Sequence, residues 1–199
     1  MDQVAPDKPL GSDADAGGVD PRIEDVPPLE LLKPLFWELV AVIAPAVILA
    51  FVIHQFVAET TVVFGQSMEP QLLPRQRLVV EKVTYRFRSP RRGQLVVVEI
   101  AESGANLIKR VVGEPGETVE VADGTVLVDG KPLAEPYVLL PSRDNTLPFT
   151  LGPTEYFVLG DNRPHSRDSR QFGPVDRQDI VGRAWLRYWP LPTFQYFPD

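Results

Sequence analysis

The apolar positions of this chain fall into two patterns. Over residues 39–58 they run almost unbroken, with only His54 and Gln55 intervening near the end. That is about the 20 residues a helix needs to cross a bilayer. Pro45 stands mid-run, where a membrane helix tolerates a kink. Trp37 and Glu38 precede the run, a place for interfacial groups. From residue 60 the apolar positions come in short runs instead, at 60–64, 78–83, 94–100, 107–112, 117–121, 125–128, 156–159 and 180–189. The run at 94–100 is continuous, as in a strand buried on both faces, whereas 117–121 alternates. Asp123-Gly124 and Asp129-Gly130 separate neighbouring runs and are hairpin signals. Residues 138–154, with Pro141, Asp144-Asn145 and Pro148, read as a loop. The pattern predicts a mainly β fold, a compact β-barrel or sandwich domain behind a single N-terminal transmembrane helix.

Composition divides the chain further. Its start is rich in Asp, Gly, Pro and Ala and poor in large apolar side chains, so it cannot offset its ordering entropy. The expected organisation is a disordered acidic tail over 1–34, an anchor helix over 35–58 and a β-rich catalytic domain over 59–199. Net charge is −7, but residues 1–58 carry nine acids against three bases, leaving the β region near neutral. No basic face for nucleic acid is expected. The apolar run exceeds a secretory h-region and is followed by no small-x-small cleavage site, so it reads as an uncleaved anchor. Lys33 and Arg22 before it balance Arg75, Arg77 and Lys82 after it, so charge does not orient it. With no cysteine, disulfides and thiol catalysis are excluded. There is no H-E-x-x-H, P-loop or Cys/His cluster, so no metal or other cofactor is expected.

The candidate chemistry centres on Gly65-Gln66-Ser67-Met68-Glu69-Pro70. A serine on a Gly/Pro turn is either plain turn structure or a hydroxyl presented in a fixed direction. As a nucleophile it needs a base. His54 belongs to the apolar segment, and His165 lies in a polar loop with no G-x-S-x-G elbow elsewhere in the chain. A neutral lysine is the other base known for serine, provided burial lowers its pKa. Lys131 follows a turn and Lys82 sits beside Glu81. Lys109, inside Leu107-Ile108-Lys109-Arg110-Val111-Val112, is the lysine best placed for burial, though Arg110 is the alternative inward residue. A third polar cluster runs over 160–170, where Ser166 or Ser169 can hold a lysine and Asp168 can pair with Arg170.

Four blocks in this order resemble the bacterial type I signal peptidases, membrane-anchored Ser/Lys proteases. Gly65 to Pro70 is similar to the nucleophile box, and Arg92-Gly93-Gln94-Leu95-Val96-Val97-Val98 to the next β box. Lys109-Arg110-Val111-Val112-Gly113-Glu114-Pro115-Gly116 is similar to the lysine box, and Gly160-Asp161-Asn162-Arg163 through Ser166, Asp168, Ser169 and Arg170 to the closing box. The resemblance covers about residues 35–190. It implies that Ser67 attacks the scissile carbonyl, Lys109 is the general base and Ser166 orients its ammonium. Asp161, Asp168 and Arg170 would brace the loop. Pockets for small side chains before the cut would fall on Val63, Met68, Leu72 and Ile108, and on Val63, Leu78, Val97 and Ile108.

The partners implied are signal peptides of secretory pre-proteins and the lipid bilayer, with the catalytic domain on the extracytoplasmic side of the cell membrane. Two departures stand out: Gly65 replaces a serine that assists the oxyanion hole in some members, and Gln94 stands where the β box often has Asp. Two rival readings are a self-cleaving SOS-type repressor fragment and a catalytically inactive membrane-anchored β-module acting as a secretion scaffold.

Overall fold

A computed structural model describes residues 28–100 and 104–198. Most of the tail expected over 1–34 therefore lies outside the described residues. The chain divides into two compact units between Ala46 and Val47. Helix α1 spans Pro28–Phe56 and contains Pro34 and Pro45, each removing one N–H from the helical ladder. Within it Leu32–His54 has a mean hydropathy of 2.5 over 23 residues, long and apolar enough to cross a bilayer. Between Glu38 and His54 its side chains are apolar all round, the composition of a helix surrounded by nonpolar matter rather than one with a single packed stripe.

After α1 the chain is antiparallel β. The strands are β1 (Ala58–Val62), β2 (Arg77–Glu81), β3 (Leu95–Ile100), β4 (Ala105–Gly113), β5 (Thr118–Ala122) and β6 (Thr125–Val128). They continue with β7 (Lys131–Pro132), β8 (Phe149–Thr150), β9 (Glu155–Leu159), β10 (Val175–Asp176), β11 (Ile180–Trp189) and β12 (Gln195–Tyr196). Two short helices, α2 (Thr84–Phe87) and α3 (Ser169–Phe172), interrupt them. One sheet runs β1-β2-β11-β3-β4-β9-β10, with β12 on β11, and a smaller one runs β7-β6-β5-β8. The fold is thus mainly β with one N-terminal apolar helix.

Local chemistry explains these elements. Asp123-Gly124 joins β5 to β6 and Asp129-Gly130 joins β6 to β7, with φ of 48° and 79° in the first pair and 51° and 73° in the second. Positive φ at both turn residues matches the right-handed twist of the flanking strands. The continuous apolar run at 94–100 is β3, held between β11 and β4 and buried on both faces. Val111 of β4 packs in a cluster with Val96, Val98, Tyr156 and Val158. Its neighbour Val112 packs in a second cluster with Val119, Val121, Phe157 and Leu159. Where successive residues of a strand enter different cores, as in the C-terminal half of β4, a polar residue is carried into the interior. That is the position of Lys109, paired across the strands with Val96.

The segment between β7 and β8 is stitched to β5. Thr146 N–H donates to Val121 O at 2.8 Å, and Asn145 Oδ1 accepts from Asp123 N–H at 2.6 Å. It also closes directly over Gly124, where a Cβ would stand 1.9 Å from Ser142 O. With positive φ as well, Gly124→Ala is expected to cost about 1–3 kcal/mol of stability. Thermal unfolding measures it, and an unchanged midpoint would show that the segment moves aside freely.

Candidate active site

The nucleophile box follows β1 directly. Gly65 takes φ 74°, which turns the chain away from the strand. Met68 and Leu72 are then buried with Val63, Leu78, Leu95, Ala184 and Phe197 in a third apolar cluster. Between these anchors Ser67 is partly exposed. Its carbonyl accepts from Asn162 N–H at 3.0 Å, which fixes the peptide that carries the hydroxyl.

Lys109 arrives from β4, and its Nζ donates to Ser67 Oγ at 2.9 Å. Only 2% of the lysine is exposed. Burial lowers its pKa from 10.5 to about 8; Asp168 and Asp161 pull it upward, and Arg170 pulls it down. Desolvation wins because a buried ammonium loses its hydration whether or not a carboxylate stands several ångströms away. The two remaining lysines weighed from sequence are engaged elsewhere or solvated: Lys82 pairs with Glu59 at 2.6 Å, and Lys131 is exposed. His165 is also exposed, its Nδ1 3.1 Å from Asn162 Oδ1.

The polar loop over 160–170 folds on Asp168. This residue caps α3, its Oδ2 accepts from Gly160 N–H at 3.0 Å, and its Oδ1 accepts from Arg170 Nε at 2.8 Å. Arg170 continues to the carbonyl of Arg163 at 2.7 Å and to Ser142 Oγ at 2.9 Å. Asp161 accepts from Arg110 Nε and Nη2, at 2.8 and 2.6 Å, while Nη1 donates to the carbonyl of Gly93 at 2.6 Å. Ser166 Oγ is buried and makes no hydrogen bond within the described residues. It packs against Gly160, where a Cβ would fall 2.2 Å from that oxygen and 2.5 Å from Ser67 O. Only glycine admits this approach.

A groove of about 400 Å³ opens beside Ser67 between β1 and β4. Of the positions expected to form small-residue pockets, Val63, Met68, Val97 and Ile108 line it. Leu72 and Leu78 have no exposed surface and pack behind that wall.

The family model described as "Signal peptidase, peptidase S26" matches residues 36–189. The chain belongs to the signal peptidase family, peptidase S26. It is 42% identical over 168 residues to the probable signal peptidase I-2 of Synechocystis sp., covering 81% of this chain and 77% of that one. It is 32% identical over 187 residues to signal peptidase IB of Staphylococcus aureus, covering 83% of this chain and 95% of that one. A crystal structure of a signal peptidase I from Enterococcus faecalis matches 48% of this chain and 97% of its own at 34% identity, with a TM-score of 0.42. Membership in this family assigns the chain to the peptidases and leaves the inactive scaffold without support.

Several residues around this peptidase site escaped the sequence reading. Tyr137 lies under the Arg110 guanidinium, 4.0 Å from Cζ to ring centre, and donates to Glu135 at 3.0 Å. Glu135 in turn accepts from Arg163 at 2.5 Å. Gln94, unexplained from sequence, is a buried acceptor for Tyr85 OH at 2.8 Å and Arg91 N–H at 2.9 Å. Glu135 and Tyr137 lie within residues 35–190, the span of the family resemblance, but outside its four motif blocks.

The buried lysine makes a stability prediction. Below pH 8 the folded chain holds a desolvated ammonium, at a cost of about 3 kcal/mol relative to a lysine of ordinary pKa. Between pH 8 and 10.5 the unfolded chain binds more protons, so stability rises with pH. Lys109→Met should therefore be more stable than the parent, by most at pH 6.5 and by less at pH 9.5. Denaturant titration at both values checks this; an equal difference at the two would remove desolvation as the cause.

Proposed function

We propose that the chain is a membrane-anchored serine endopeptidase that removes signal peptides from exported pre-proteins with a Ser67/Lys109 dyad. The observation that carries this reading is a buried lysine amine 2.9 Å from the serine hydroxyl, with a pKa brought down to about 8. A base poised near the working pH combines availability with proton-transfer drive. Lys109 takes the Ser67 proton as Oγ bonds to the scissile carbonyl carbon. The resulting ammonium returns that proton to the departing amine as the C–N bond breaks. Water then attacks the Ser67 ester, giving a proton to Lys109, and as the acyl C–O bond breaks the ammonium passes that proton to Ser67 Oγ, restoring the hydroxyl and the neutral amine.

Charge on the carbonyl oxygen meets the Ser67 N–H; Gly65 adds no hydroxyl there. Ser166 Oγ, buried beside Gly160 and with no hydrogen bond among the described residues, is the oxygen proposed to orient the lysine ammonium once it forms. The groove walls of Val63, Met68, Val97 and Ile108 suit small residues such as Ala at the first and third positions before the cut, with the substrate extended along a strand. The anchor over 35–58 keeps the catalytic domain over 59–199 at the membrane surface on the extracytoplasmic side, where signal peptides emerge. Ser67 comes nine residues after Ala58, a reach of at most roughly 30 Å.

Ser67→Ala and Lys109→Ala should each abolish cleavage of a pre-protein while the β domain stays folded by circular dichroism. For the parent, log kcat/KM should climb with pH and level off near pH 8, because the lysine must be neutral in the free enzyme. Normal processing by either variant, or a flat profile from pH 5 upward, would exclude the dyad.

A further inference from the structure

A second cavity, of about 180 Å³, flanks the nucleophile box away from the groove already described. The two share no wall residue. Ser67 and Met68 line the groove, whereas Glu69 and Pro70, the next two residues, line this cavity together with Leu73, Leu139 and Leu140. Asp161, ion-paired with Arg110, and Asn162, whose N–H holds the Ser67 carbonyl, complete its wall. The cavity is thus one hydrogen bond from the nucleophile's own peptide.

Its leucines are unusually open: Leu139 is 69% and Leu140 61% exposed. Apolar side chains on a loop normally pack or move. These are held from both sides by the arginines of the 160–170 loop. Arg163 grips Glu135 at 2.5 Å before them, and Arg170 grips Ser142 Oγ at 2.9 Å and Asp144 at 2.6 Å after them. The same two side chains that brace the catalytic loop therefore fix the leucines relative to Ser67. Glu69 stands at the rim, partly exposed and with no ion-pair partner among the described residues.

An extended chain that lies in the groove and delivers its carbonyl to Ser67 must continue past it. At ~3.3 Å per residue, its next three residues span only ~10 Å. We propose that the second cavity binds a side chain among the first three residues after the cut, that it takes an apolar one, and that the Glu69 carboxylate disfavours an acidic one. This rests on the reading of Ser67 as nucleophile and adds a specificity site on the leaving side of the scissile bond.

The test uses the full-length protein in detergent micelles and a peptide series identical up to the cut. Leu, Gly or Asp is placed in turn at the first, second and third positions after it. At one of these positions the parent should prefer Leu to Gly by on the order of tenfold in kcat/KM, with Asp poorest. In L139S/L140S the Leu/Gly ratio should fall toward one, while the Ala/Leu ratio at the third position before the cut persists. In E69Q the Asp/Gly ratio should rise. A parent Leu/Gly ratio near one at all three positions overturns the inference, as does a ratio that survives in L139S/L140S. Both outcomes leave the dyad standing, since the series is still cut. A series that the parent cannot cut, or that S67A cuts equally well, overturns the dyad and this inference with it.

Discussion

The removal of the Lys109 ammonium from water is the constraint on which the rest of the site depends. A lysine amine is useless as a base while it is charged, and nothing on the side chain itself makes it neutral. Neutrality has to come from the surroundings, and here it comes from β4. Its residues pass between separate apolar clusters, and the strand is buried along its C-terminal half. The cost is a destabilised fold, and the remaining valine-rich core has to exceed it. Val96, Val98, Val111 and Val158 have no exposed surface at all. In the proposed dyad, stability and catalysis therefore compete at one residue, and the packing of β3 and β4 is where the competition is settled.

The second requirement is that the hydroxyl face this amine and not solvent. That alignment is built through the backbone. Asn162 N–H holds Ser67 O, and the two residues just before Asn162 are pinned: Asp161 by Arg110, and Gly160 by Asp168. The two halves of the proposed dyad, 42 residues apart in sequence, are thus tied to the same loop, Ser67 through Asn162 and the lysine strand through Arg110. Such a network is costly if half-satisfied and rigid if complete. The arginines here are nearly saturated: Arg170 alone meets Asp168, Asp144, Ser142 and two carbonyls.

Those parts of the design that depend on local order were legible in the chain. The apolar run of α1, the hairpins at Asp123-Gly124 and Asp129-Gly130, and the doubly buried β3 each follow from a short window of residue types. Lys109 stood out because its neighbours are apolar, and Ser67 because its turn is short and fixed. Contacts set by sheet register were not legible. Nothing near Arg110 in sequence names Asp161, 51 residues away, or the ring of Tyr137 as its partners. Leu72 and Leu78 show the same limit within one cluster. Their residue type suits a pocket wall, but whether a leucine faces the groove or backs it depends on the strand's rotation, which alternation alone does not fix against a particular cavity.

The arginines also bear on the lysine electrostatically. Asp168 and Asp161 each stabilise the ammonium form of Lys109, whereas Arg170 opposes it. Left unpaired, two carboxylates near a buried amine would hold its proton and undo the effect of desolvation. Each is instead bound by a guanidinium, Asp168 by Arg170 and Asp161 by Arg110, so that each presents a near-neutral pair at the distance of the lysine. Arginine suits this task better than lysine would, because its planar fork meets a carboxylate with two hydrogen bonds and it stays charged at every relevant pH. The bracing of the loop and the lowered pKa of the base are then two consequences of the same ion pairs. A substitution at Arg110 or Arg170 would disturb geometry and basicity together, whereas one at Glu135, which reaches the loop only through Arg163, would act on geometry first.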